Sequence, residues 1–88
     1  MNLMKNQKNP EIHIGEVICA QLAKDGRSKK WLAEQVHYEH SYLCKILKKQ
    51  HINTDLLLRI SRALQYDFFA IFSKYLREMV NFDHDIRQ

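Results

Sequence analysis

Along most of the chain, apolar residues recur at intervals of three and four, the period that brings side chains to one face of a helix. In EIHIGEVICAQLAKDG, residues 11–26, Ile14, Val17, Ile18 and Leu22 keep this spacing, and Gly26 stands where a helix C-cap is wanted. Ser28 is an N-cap for a short second helix, KKWLAEQV, that buries Leu32, Ala33 and Val36. The stretch HYEH then leads into HSYLCKILKK, in which Leu43, Ile46 and Leu47 fall within about a third of the helical wheel. After QHIN, a fourth helix starts at Asn53 or Thr54 and runs to Leu64, with Leu57, Ile60 and Leu64 inward. Asp67 caps a fifth, FFAIFSKYLREMV, whose stripe is Phe68, Ile71, Phe72, Tyr75 and Met79. No internal repeat interrupts the series.

Composition supports an all-α fold. Only two glycines and one proline punctuate 88 residues, too few for a chain of short, turn-linked strands. That length predicts one domain, which buries roughly 60–65 % of its unfolded surface. Residues 1–10, MNLMKNQKNP, are polar and end on Asn9-Pro10, so they read as a flexible arm. Residues 11–73 form the domain and 74–88 a helical extension and tail. No apolar run has the length of a signal peptide or a membrane span, which predicts a soluble protein without a membrane partner. Cys19 and Cys44 lie in different expected helices without CxxC spacing, the pattern of reduced thiols in a cytoplasm.

Charge localises the expected activity. Between Lys24 and His51 seven basic residues face three acidic ones, a balance of +4, while the rest of the chain carries seven of each. The whole net charge therefore lies in the middle third, as expected where a polyanion docks. A solvated lysine-rich face is the plainer alternative. Lys29 and Lys30 open the second helix, where cations oppose the helix dipole unless an anion sits nearby. On the third helix Ser41, Lys45 and Lys48 lie opposite the apolar stripe, flanked by Cys44 and Lys49, with His40 at the N-terminal edge.

The run GRSKKWLAEQVHYEHSYLCKILKK resembles the helix-turn-helix of the Cro and phage-repressor family, the Xre-type bacterial regulators. The likeness extends over LLLRISRAL and the Asp67-capped helix and so covers Ile14 to Phe72. It implies a five-helix domain with an extended C-terminal helix, binding double-stranded DNA as a transcriptional regulator. In such domains the second helix of the pair enters the major groove, where every base pair shows a distinct donor and acceptor pattern. The resemblance puts His40, Ser41, Cys44 and Lys45 at base-facing positions and Arg27, Ser28, Lys29, Lys30, Tyr42, Lys48 and Lys49 near phosphates. Two positions depart from the family pattern. His37 replaces a common turn glycine, and Glu39 replaces a serine N-cap; were Ser41 the cap instead, His40 would leave the groove.

Other chemistries find less support. Two of His37, His40 and Cys44 share a helical face, but no fourth ligand for a structural zinc is evident. Phosphate loops, acid pairs and activated nucleophiles are missing too, so neither an enzyme, a cofactor nor a small-molecule substrate is expected. Trp31 reads as a packing residue rather than a base-stacking one, and the aromatics gather on the fifth helix, unlike an RNA-binding surface. Phe69, Leu76, Val80 and Phe82 have no obvious place in so small a core. They suit a homodimer interface, which implies half-sites roughly 34 Å apart, or a helix folded back on the first helix within a monomer. An antitoxin or adaptor that grips a protein partner with the same fold is the alternative from another functional class.

Overall fold

The computed structural model describes residues 12–80, and their regular structure is entirely helical. Five helices follow in order: α1 (Ile14–Asp25), α2 (Lys29–Val36), α3 (His40–Leu47), α4 (Thr54–Leu64) and α5 (Phe69–Val80). No strand occurs among the described residues. The arm expected over residues 1–10 and most of the expected tail lie outside them.

Local chemistry sets the helix boundaries. Four N-termini begin with a side chain accepting an otherwise unpaired backbone N–H: His13 Nδ1 from Glu16 (3.1 Å), Ser28 Oγ from Trp31 (2.9 Å), Asn53 Oδ1 from Leu56 (2.8 Å) and Asp67 Oδ1 from Ala70 (3.1 Å). Three C-termini close on a residue in the left-handed region, Gly26 (φ 69°), His37 (φ 62°) and Gln65 (φ 53°). In each, the next residue donates back into the last turn: Arg27 to Leu22 O (2.9 Å), Tyr38 to Ala33 O (2.9 Å) and Tyr66 to Ser61 O (3.0 Å). Glycine adopts that conformation freely, whereas His37 and Gln65 accept a cost of about 1–2 kcal/mol each that these hydrogen bonds help offset.

The core takes residues from every helix but α5. Ile14, Ile18 and Leu22 come from α1, Leu32, Ala33 and Val36 from α2, and Leu43 and Leu47 from α3. Helix α4 adds Leu56, Leu57, Ile60 and Leu64, and Phe68 closes the end just before α5. Among the described residues none that is buried is polar or charged. Helix α2 packs on both α3 and α4, and α1 on α3.

The apolar pattern misleads at a few places. Leu56 is fully buried beside Leu57, so the inward face of α4 is wider than a three-residue stripe. Val17 and Ile46 are only half-buried at its edge. Phe72 and Met79, expected inward on α5, are 39 % and 50 % exposed. Phe68 already fills the end of the core, and α5 runs on past it, touching the body through Phe69 and Ile71. No helix among the described residues is long and apolar enough to cross a membrane.

One junction fixes α3 against α1. The His13 ring, besides capping α1, holds the Lys48 carbonyl with Nε2 at 3.0 Å, and the Ile14 N–H donates to Gln50 O at 3.2 Å. Accepting at Nδ1 while donating at Nε2 specifies the Nε2–H tautomer. At Gly15 the backbones meet: a Cβ there would overlap the Leu47 carbonyl oxygen and stand 2.7 Å from its carbonyl carbon. Alanine would favour the helix by about 1 kcal/mol, but overpacking against rigid backbone costs typically about 1–3 kcal/mol or more. Because the contact is with rigid backbone, the cost falls at the upper end, and Gly15→Ala is expected to destabilise the protein by a net ~2 kcal/mol in urea unfolding. A stabilised variant would mean the helices do not approach this closely.

Candidate nucleic-acid interface

Helices α2 and α3 are joined by His37, Tyr38 and Glu39, with the left-handed His37 redirecting the chain as a turn glycine would. Leu43 and Leu47 are buried, which turns the opposite side of α3 to solvent. His40, Ser41 and Lys45 are exposed on it, and Cys44 is half-buried at its margin. Helix α3 starts at His40 with Glu39 as N-cap residue, so Ser41 lies within the first turn and its hydroxyl is not the cap. The Glu39 side chain makes no capping hydrogen bond, and α3 lacks the side-chain acceptor the other four helix starts possess.

The residues assigned to phosphate are all exposed, but they are held differently. Lys29 and Lys30 stand in the first turn of α2, which contains no acidic residue. Ser28 Oγ is committed as acceptor to the Trp31 N–H, leaving its O–H free to donate. Arg27 lies with its guanidinium carbon 4.3 Å from the Trp31 ring centroid, a cation–π contact worth about 0.5–1 kcal/mol when exposed. Trp31 itself is half-buried against the core, the packing role expected from the sequence. Tyr42 is 55 % exposed and stacks on Tyr38, with centroids 5.7 Å apart and rings 8° from parallel. Tyr38 packs against the core, so the Tyr42 ring stacks on a supported base.

Lys48 and Lys49 follow α3 at its C-terminal end, where cations suit the helix dipole. Among the described residues a single ion pair forms, Arg59 with Asp55 at 3.4 Å on α4, so no carboxylate neutralises the lysines of α2 and α3. Glu34 and Glu39 are exposed on the same helix pair and reduce the local positive field without cancelling it. The backbone junction at Gly15, invisible to a search for charged or hydrogen-bonding side chains, is what sequence reading missed here.

Other expected sites fare unevenly. Phe69, assigned to a possible interface, is half-buried against the core. Leu76 is 57 % exposed; the Val80 side chain and Phe82 lie outside what the structure describes. Cys19 and Cys44 are free thiols. Among the described residues no three His, Cys, Asp or Glu side chains gather into a metal-sized cluster.

Comparisons with protein-family models, with curated proteins and with solved structures find no match to this chain. The uncapped start of α3 is directly testable. Serine at position 39 would supply the missing acceptor, and Glu39→Ser is expected to raise unfolding stability by about 0.5–1 kcal/mol. No gain would mean that the first turn of α3 is already satisfied in solution.

Proposed function

We propose that the protein is a sequence-specific regulator of bacterial or phage type that binds double-stranded DNA by inserting α3 into the major groove. The observation carrying this reading is the two-sided character of α3. One side is locked into the core by Leu43 and Leu47, and the other holds His40, Ser41 and Lys45 in solvent beside unpaired lysines. Under this reading α2 and α3 form a helix-turn-helix, and the protein acts in the cytoplasm by occupying an operator.

Lys45 donates to guanine O6 and N7, His40 and Ser41 contact neighbouring base edges, and Cys44 touches the groove from the margin. Ser28, Lys29 and Lys30 meet one stretch of backbone at the N-terminus of α2, where free amides add donors, while Tyr42, Lys48 and Lys49 meet another. Arg27 joins them if its guanidinium leaves the Trp31 ring, a modest cost beside a charge-assisted phosphate contact. The wild-type protein is expected to enrich a motif from a random duplex pool. On that motif, Lys45→Ala costs about 1–3 kcal/mol and relaxes preference at one base pair, whereas Lys30→Ala weakens binding to all sequences alike. Uniform loss from both changes would remove Lys45 as a reader.

The exposure of Phe72, Leu76 and Met79 along α5 favours a homodimer formed through that helix, with two-fold symmetry matched by a pseudo-palindromic operator. The same exposed face is what an antitoxin or adaptor would offer a protein partner. Leu76→Asp is expected to convert a dimer to monomers in sedimentation at micromolar concentration; a wild-type monomer would contradict self-association.

A further inference from the structure

The lysines of residues 24–49 lie on or beside α1 to α3, whereas two of the four arginines between residues 12 and 80, Arg59 and Arg62, project from α4 one helical turn apart. Those two border an open cleft of about 530 Å³ between α4 and the C-terminal end of α2, which Gln35, Val36, His37 and Ala63 complete. Ala63 is the apolar residue it leaves partly open, Val36 beneath being buried in the core, while Gln35, His37 and the guanidinium groups supply polar walls. The proposed phosphate contacts use the opposite end of α2, so the DNA reading does not employ this cleft.

We propose that the α2/α4 cleft is a docking site for a carboxylate-bearing segment of a partner protein, an acidic peptide with apolar residues between its charges. Arginine presents a planar fork that pairs two-pronged with a carboxylate. Arg59 already meets a carboxylate by one prong: Asp55 Oδ2 lies 3.4 Å from its Nε, with the two side chains 72 % and 50 % exposed, an exchangeable contact. Arg62 forms no ion pair and remains available for a second carboxylate. A nucleic-acid strand suits this surface less, since a polyanion needs an uninterrupted positive field and the exposed Asp55 carboxylate beside Arg59 breaks it. An isolated peptide carboxylate can instead displace Asp55 or bypass it to reach Arg62, while an apolar side chain next to it covers Ala63.

The test is fluorescence anisotropy with a labelled peptide alternating Asp and Glu with Leu, an Asn/Gln counterpart of equal length, and labelled single-stranded oligothymidylate. Wild-type protein is compared with Arg59→Gln/Arg62→Gln and with Lys45→Gln/Lys48→Gln, all checked for helix content by circular dichroism. Every substituted side chain is exposed, so folding should be retained. Binding of the acidic peptide alone, weakened about tenfold or more by the arginine changes and little altered by the lysine changes, supports the site. Absence of binding, equal loss from the lysine variant, or oligothymidylate binding with the same arginine dependence would overturn it. Because the readout is peptide affinity, its failure leaves duplex binding through α3 untouched.

Discussion

Helix α3 is eight residues long and begins without a side-chain cap, so its own backbone hydrogen bonds are insufficient to keep it folded. What holds it is tertiary: Leu43 and Leu47 buried against α1 and α2, each contributing roughly 1.5–3 kcal/mol, and the close backbone approach at Gly15. The remaining geometry of the exposed face follows from this dependence. Once two leucines a helical turn apart point inward, Ser41, Lys45 and Lys48 point out; the His13 bond to the Lys48 carbonyl then fastens the far end. Rigidity of the presented surface thus comes from packing behind it, as positioned recognition requires.

Electrostatics acts on that scaffold rather than building it. With no buried charge and a single exposed ion pair among the described residues, the lysines of α2 and α3 contribute little to folding and leave their field directed at solvent. Lys29 and Lys30 even oppose the dipole of the helix they begin. A polyanion at that end would turn a small cost of folding into binding energy, and removal of the lysines should matter more to the complex than to the free protein. Arg59 and Arg62, on a different helix pair, add a second and chemically distinct surface.

Much of this arrangement was readable in the sequence, and the reasons differ by residue. Ser28, Asn53 and Asp67 announce helix starts because a short polar side chain before an apolar period has one favourable use, and each makes the capping bond. Leu32, Val36, Leu43 and Ile60 follow the helical period and are buried. Burial on α5 was not legible, since the period marks Phe72 and Met79 as readily as Phe68 but cannot tell where the core ends. Nor was the requirement at Gly15, which depends on a backbone more than thirty residues away. Among the functional candidates, side-chain type predicted exposure well but not engagement: Arg27 stacks on Trp31 and Tyr42 on Tyr38, pairings a linear pattern does not specify.

The proposed function makes the solvent side of α3 the surface that would meet duplex DNA. Amide chemical-shift mapping of the labelled protein during titration with a short duplex at low salt tests it most directly. The largest changes are expected on residues 28–30, 40–45, 48 and 49, with α5 and the α2/α4 cleft little affected. Changes concentrated on α5 or around Arg59 and Arg62, with α3 silent, would contradict it.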